Sequence, residues 1–279
     1  MTVAQPRPVV RRGGLRGLGE YLRPQEAIPR RTYLGILLAS AGGLVALWCV
    51  LTYGELVEPL FLPSPTAIVR SGVEMIADGS LLQNAGASLY VIVTGWALAV
   101  AAGVPTGILM GSFKAVEALV EPVIDFVRYL PVSALIPLLI LYIGIGTSEK
   151  IAVIFIGTFF QLVLLVADVA AHVPREQIDV SYTLGASRGQ VIRRVLLPAT
   201  LPGVMDTLRI TMGWAWTYLV VAELVSADRG LGYLIMNSMR GLFTDRIFVG
   251  LFTIGGLGLA FDLLFKWLHR RLLPWSPKA

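Results

Sequence analysis

Charge is scarce in this chain: Asp, Glu, Lys and Arg make up 15% of its 279 residues, against about 25% in a soluble domain. With 56% hydrophobic residues and a mean hydropathy of +0.73, too little polar surface exists to face water on all sides. Cysteine is nearly absent. The single Cys49 lies inside an apolar run, which excludes an internal disulfide and reads as a structural thiol. Histidine is equally rare. His172 and His269 stand far apart with no Cys or carboxylate cluster at ligand spacing, so no metal site is expected. Nor does the sequence contain a G-x-x-x-x-G-K-[ST] phosphate cradle; Gly144-Ile145-Gly146 followed by Lys150 lacks the second glycine spacing. ATP hydrolysis by this chain is thereby excluded, and so is an intramembrane His/Asp, Ser/His or metal enzyme.

What is present is a series of apolar runs near or above the roughly 20 residues that cross about 30 Å of hydrocarbon. The fold class expected is an all-α integral membrane protein with six spans: Tyr33–Tyr53, Ala85–Ser112, Val116–Ile143, Ile151–His172, Gly203–Ser226 and Ile247–Leu268. Residues 1–33 carry seven arginines and no small-residue cleavage site. They read as a cytoplasmic tail with a short surface helix around Leu18–Ile28 rather than a secretory signal. With the N-terminus inside, 16 basic residues fall on the cytoplasmic side and five on the other (Arg70, Lys150, Arg229, Arg240, Arg246). That bias predicts both termini in the cytoplasm, and it accounts for the net charge of +5 without nucleic acid.

Two spans are expected to be broken by helix-disrupting residues, the second at Gly103-Val104-Pro105 and the third at Pro131 and Pro137. Either these are kinked helices packed in a bundle, or they line a path and supply its bends. Ionisable residues within spans are costly and pair or face a cavity. Asp262 with Lys266 at i+4 and Asp125 with Arg128 at i+3 read as structural pairs, and Asp168 as a span-end residue. Glu223, near the outer end of its span, fits a gate, an ordering role for the following loop, or packing. Ser133, Thr158, Gln161, Trp216 and Thr217, with Pro137 and Glu223, are the translocation-path candidates.

The long cytoplasmic loop, residues 173–202, is the informative segment. Two short amphipathic helices are predicted on either side of a turn at Gly185, which accepts positive φ at no steric cost. Ile178, Tyr182 and Leu184 precede the turn; Val191, Ile192, Val195 and Leu196 follow it. Pro198 and Pro202 are expected to stop the second helix before the fifth span. An apolar face with basic flanks (Arg188, Arg193, Arg194) is a docking surface for a partner; the alternative is a helix lying on the bilayer.

Leu184-Gly185-Ala186-Ser187, then ten residues and Pro198, resembles the "EAA" loop of bacterial ATP-binding-cassette importer permeases. The likeness extends to Phe61-Leu62-Pro63-Ser64-Pro65, Gly103-Val104-Pro105 through Gly111, Glu121-Pro122, Pro131, Pro137, Gly144-Ile145-Gly146, Leu208-Arg209-Ile210, Ala222-Glu223-Leu224 and Arg229-Gly230-Leu231-Gly232. It is nearest the nitrate/sulfonate/taurine branch. Asp179-Val180-Ser181 replaces that family's Glu-Ala-Ala, Val91 stands where it has a basic residue, and Gln161 where it has a proline. The resemblance implies a type I importer permease fold over residues 34–279 in the bacterial inner membrane, passing a small anion such as nitrate, a sulfonate or taurine, with a neutral or aromatic compound as the alternative. It implies two ATPase subunits that bind ATP and Mg, an external substrate-binding protein and a second permease copy. It also implies ATPase coupling through Asp179, Ser181, Tyr182, Leu184, Gly185, Ala186, Ser187, Arg188, Ile192, Leu197 and Pro198. An ion-coupled secondary transporter would need its own coupling-ion site and an inverted repeat, which the halves 34–145 and 150–268 do not display. A channel would not need the cytoplasmic dock.

Overall fold

The structure, a computed structural model, describes residues 28–226 and 228–276. The tail helix expected around Leu18–Ile28 falls outside the described residues, Ile28 excepted. The chain divides into two compact units, Met1–Val57 and Glu58–Ala279. In the first, helix α1 (Arg30–Tyr53) is 24 residues long and apolar enough to cross a bilayer; near its end the Thr52 hydroxyl donates to the Trp48 carbonyl at 2.9 Å.

The second unit is a helical bundle. In chain order it contains α2 (Pro65–Ala77), α3 (Ser80–Ser112), α4 (Lys114–Val127), α5 (Val132–Ile143), α6 (Thr147–Ala171), α7 (Arg175–Thr183), α8 (Arg188–Val191), a π-helical turn (Ile192–Leu196), α9 (Leu197–Ser226), α10 (Leu231–Arg240) and α11 (Thr244–Leu272). Among the described residues α1, α3, α6 and α11 each have the length and hydropathy of a span, and α4 with α5 make a fifth as a bent pair. Helix α9, 30 residues long, reaches about 45 Å at 1.5 Å per residue, though polar residues interrupt its apolar character.

The bundle is organised around α3 and α6. On α3, Gly95, Gly103, Gly107 and Gly111 share a face that meets α6. A Cβ added at Gly107 would lie 2.7 Å from both the Val163 carbonyl oxygen and Val166 Cβ, so side chains there would force the two helices apart. Small residues at such spacing let backbones approach closely where apolar surroundings supply no other drive for association. Around that seam Leu162, Val166 and Val204 form one core cluster, and Met110, Ile124, Val163 and Ala167 another.

The expected break of the second span is absent. Helix α3 runs unbroken for 33 residues with Pro105 inside it. Pro105 withholds an N–H from the Ala101 carbonyl without breaking the helix, and the next carbonyl along, that of Ala102, accepts the Thr106 hydroxyl at 2.8 Å. The third span, by contrast, is not one helix. It divides at Arg128–Pro131, and α4 and α5 meet at 94°. Leu130 precedes Pro131 and is thereby steered from helical backbone, while Pro131 itself is extended (φ −67°, ψ 117°) and starts α5.

Two short helices, α2 and α10, were not foreseen. Ser64 caps α2 by accepting the Ala67 N–H at 3.3 Å, with Pro65 at the first helical position. Ser71 of α2 hydrogen-bonds Asp245, and the Thr244 hydroxyl donates to the Leu60 carbonyl at 2.6 Å, so this layer is tied to the start of α11. Between α2 and α3, the Ser80 hydroxyl and then the Ser80 N–H hydrogen-bond Asp78 and hold its carboxyl below the usual carboxylate range.

Candidate coupling turn and bundle cavity

At the end of the bundle where α6 stops and α9 begins, the chain turns outward through α7, none of whose residues is buried. Its stop is fully hydrogen-bonded: the Gly185 N–H donates to the Tyr182 carbonyl (2.9 Å) and the Ala186 N–H to the Ser181 carbonyl (3.0 Å), with Gly185 at φ +81°. This is a Schellman motif, whose left-handed position a residue with a Cβ occupies at a cost. Two residues later a new helix starts on a capping box. Ser187 Oγ accepts the Gln190 N–H (3.4 Å) and Gln190 Oε1 accepts the Ser187 N–H (2.8 Å). A stop and a start so close together make a rigid corner, and Leu184, 83% exposed, stands at it.

Asp179, Ser181, Tyr182, Leu184, Gly185, Ala186, Ser187 and Arg188 are thus brought together on one protruding turn. Ile192, Leu197 and Pro198 are half-buried at its base. The expected stop at Pro198 and Pro202 does not occur. The helix that starts at Arg188 passes through the π turn and continues as α9, with Pro202 inside it. A π turn widens the repeat to i→i+5, and it ends where Pro198, which has no N–H to donate, is the second residue of α9. The helix that leaves the protruding turn at Arg188 therefore runs on into α9 as one continuous rod. Ser187-x-x-Gln190 is the capping-box signature in the sequence; the π turn has no such signal.

The path candidates do not converge on one cavity. Ser133, Pro137 and Thr217 face outward. Thr158 is fully buried, and among the described residues its hydroxyl has no hydrogen-bond partner. Trp216 packs edge-on against Phe261 in a groove between α9 and α11 that also holds Arg209, hydrogen-bonded to Asp262. The two expected pairs are present, Lys266–Asp262 at 2.7 Å and Arg128–Asp125 at 3.2 Å; Asp168, expected as a span-end residue, lies 3.3 Å from His172.

Gln161 opens on a cavity of about 240 Å³ in the angle between α4 and α5, closed by α6 and by Tyr218 of α9. Its side-chain amide donates to the Tyr218 hydroxyl at 3.3 Å. The Tyr218 ring lies over Gly157, where a Cβ would sit 2.6 Å from Cδ2. Arg128 and Tyr129 come from the elbow itself, the guanidinium donating to the Tyr129 hydroxyl at 3.0 Å. Neither Arg128 nor Tyr218 stood among the path candidates. The bend that brings Arg128, itself exposed, to the edge of this cavity has only Pro131 to signal it.

At the opposite end of the bundle Glu223, 2% exposed, fastens the segment that follows α9. The Ser88 hydroxyl donates to its carboxylate at 2.7 Å, and the Gly232 N–H donates at 2.7 Å. The Leu231 N–H donates to Ser88 Oγ (2.8 Å) and the Gly230 N–H to Asn84 Oδ1 (2.9 Å). Of the roles open to Glu223, ordering of the following loop is the one this geometry displays. Lys150, also buried, reaches Asp228 of that loop at 3.8 Å.

A bundle of membrane-length helices with a protruding turn at one end has an architecture that suits a membrane transport subunit. Residues 103–274 match the family described as the binding-protein-dependent transport system inner membrane component, and the chain belongs to that family. It is 34% identical over 252 residues to the taurine transport system permease protein TauC of Escherichia coli K12, across 88% of this chain and 92% of that one. To the putative aliphatic sulfonates transport permease protein SsuC of Bacillus subtilis it is 32% identical over 241 residues, 86% and 87% of the two chains. Its fold matches a chain of the MetNI methionine ABC transporter, solved in inward-facing conformations, with a TM-score of 0.60 over 70% of this chain and 97% of that one at 20% identity. The protein is therefore a multi-pass inner-membrane permease of an ATP-driven importer with the type I fold. It works with ABC ATPase partners and is not itself an enzyme. A secondary transporter and a free-standing channel are set aside.

Proposed function

We propose that this permease imports a small organic sulfonate of the taurine type, delivered by an external binding protein to a homodimer of this chain. Support for the cargo comes from the taurine and aliphatic-sulfonate permeases among its relatives. Both termini lie in the cytoplasm, on the basic-residue bias of 16 to 5, which puts α7 on the cytoplasmic side and the Glu223 network outside. ATP and Mg bind the partner ATPases. Asp179–Arg188 docks in each ATPase, and closure of the ATPase pair moves it.

The observation that carries the coupling role is the continuity of the docking turn with α9. A rigid corner joined without a break to a 30-residue helix transmits displacement, as a flexible loop would not. The elbow between α4 and α5 then supplies a bend about which the path opens. Because the ATPase acts only through this turn, Gly185→Val should leave the permease in the membrane while uptake of taurine falls at least tenfold and ATP hydrolysis becomes independent of the loaded binding protein. Taurine uptake at the wild-type rate by that variant would refute the assignment of the turn.

A further inference from the structure

The cavity at the elbow has a composition that the hydrophobic bundle around it does not explain. Most of its walls are apolar, from Leu135, Ile156 and Phe160, yet three hydrogen-bonding side chains from three different helices meet in it: Arg128, Gln161 and Tyr218. Gln161 is the fifteenth of the 25 residues of α6, so the site lies near mid-depth. The Arg128 side chain is 37% exposed, so it can meet a solute entering the cavity rather than being sealed inside the bundle.

Its resident partners leave some of its donors unused. Asp125 approaches Nε at 3.2 Å, one face of the guanidinium lies 4.7 Å from the Tyr129 ring centroid, and one Nη donates to the Tyr129 hydroxyl. A guanidinium has five N–H donors, and these contacts use only part of them. Tyr218 accepts from Gln161 through its oxygen and so keeps its own proton to donate. The cavity therefore presents spare donors and one positive charge, with Asp125 as the acidic group nearest them. At about 240 Å³ it falls just under the range of small-molecule pockets, roughly 300 Å³ upwards, which suits a solute of a few heavy atoms.

We propose that this cavity is a transient anion subsite of the transport path, in which Arg128 and the Tyr218 hydroxyl hold the three-oxygen head of a sulfonate while Gln161 orients Tyr218. The inference rests on the reading of the chain as a sulfonate permease. Asp125 keeps the subsite weak: by occupying part of the guanidinium it prevents the tight binding that would trap cargo. Gly157 is required because any side chain there would displace the Tyr218 ring.

The test uses the whole transporter, with binding protein and ATPase, in cells lacking their own sulfonate uptake. Labelled taurine and a neutral aminopyrimidine serve as probes. Arg128→Gln should lower taurine uptake at least tenfold, Arg128→Lys less, and Tyr218→Phe should raise the apparent KM for taurine several-fold. Asp125→Asn should move the other way and lower that KM, since it frees the guanidinium; a merely structural ion pair would be damaged from either side. Equal membrane abundance and ATPase co-purification of the Arg128 variants show that they fold. Taurine uptake by the parent and by Arg128→Gln alike would overturn the subsite and leave the sulfonate reading intact. A parent that imports the aminopyrimidine or neither probe, and no taurine, would overturn both.

Discussion

Single residues in this protein act mainly by what they exclude or what they tie down. Gly107 excludes: with 2.7 Å between an added Cβ and Val163 or Val166, Gly107→Leu overpacks the α3–α6 seam. Overpacking costs roughly 1–3 kcal/mol in a well-packed core and sometimes more, so thermal unfolding of the detergent-solubilised protein should shift well below that of the parent, whereas Gly86→Ala, with nothing within 4 Å of the new Cβ, should not shift it. Glu223 ties down: its carboxylate accepts from Ser88 and from the Gly232 backbone, and hydrogen bonds to a charged group are worth about 1.5–3 kcal/mol. Glu223→Ala should therefore leave the helices in place and free the segment 228–232. Limited proteolysis at Arg229 in right-side-out vesicles reads this directly, with faster cleavage expected in the variant. Unchanged cleavage would remove Glu223 from the role of loop anchor.

Among the elements, what could be read in the sequence depended on whether the deciding interaction is local. Gly185 and the polar residues after it announce a corner because a helix stop is made from its own neighbours. The spans at α3, α6 and α11 were legible for a similar reason, since hydropathy summed over one helix suffices. At the α4–α5 elbow Pro131 marked the break, but the apolar run continues across Arg128–Pro131, so the 94° angle was not legible, and Pro137, also expected to break the span, stays inside α5. Pro105 and Pro131 are the same residue type with opposite outcomes. Pro105 stays inside one unbroken helix, whereas Pro131 begins a new one. Helices α2 and α10 escaped notice since each is too short to register as a span and is held by partners distant in sequence, Asp245 for α2 and Ser88 for the start of α10. The π turn before Pro198 was likewise beyond any proline rule. If that turn is what allows the coupling corner and α9 to form one rod, inserting two glycines after Leu196 should preserve ATPase binding and abolish taurine uptake; retained uptake would mean that motion is passed on by another route.

At the scale of the whole molecule, a large part of the outer surface is apolar. Leu141 is 74% and Tyr142 79% exposed on α5, and Leu119 is 76% exposed on α4. Patches of that extent belong against lipid or a partner chain, in keeping with a permease that sits in the membrane and is incomplete without other subunits. The central claim is that the turn Asp179–Arg188 is where an ATPase docks. The direct measurement is the mass of the complex recovered in mild detergent when this chain is expressed with the ATPase of its own transporter, with and without residues 179–197. The account predicts a particle of two permeases and two ATPases from the intact chain, and a permease still in the membrane fraction but free of ATPase after the deletion. An ATPase that stays bound without residues 179–197, or an intact permease that never recruits one, would contradict it.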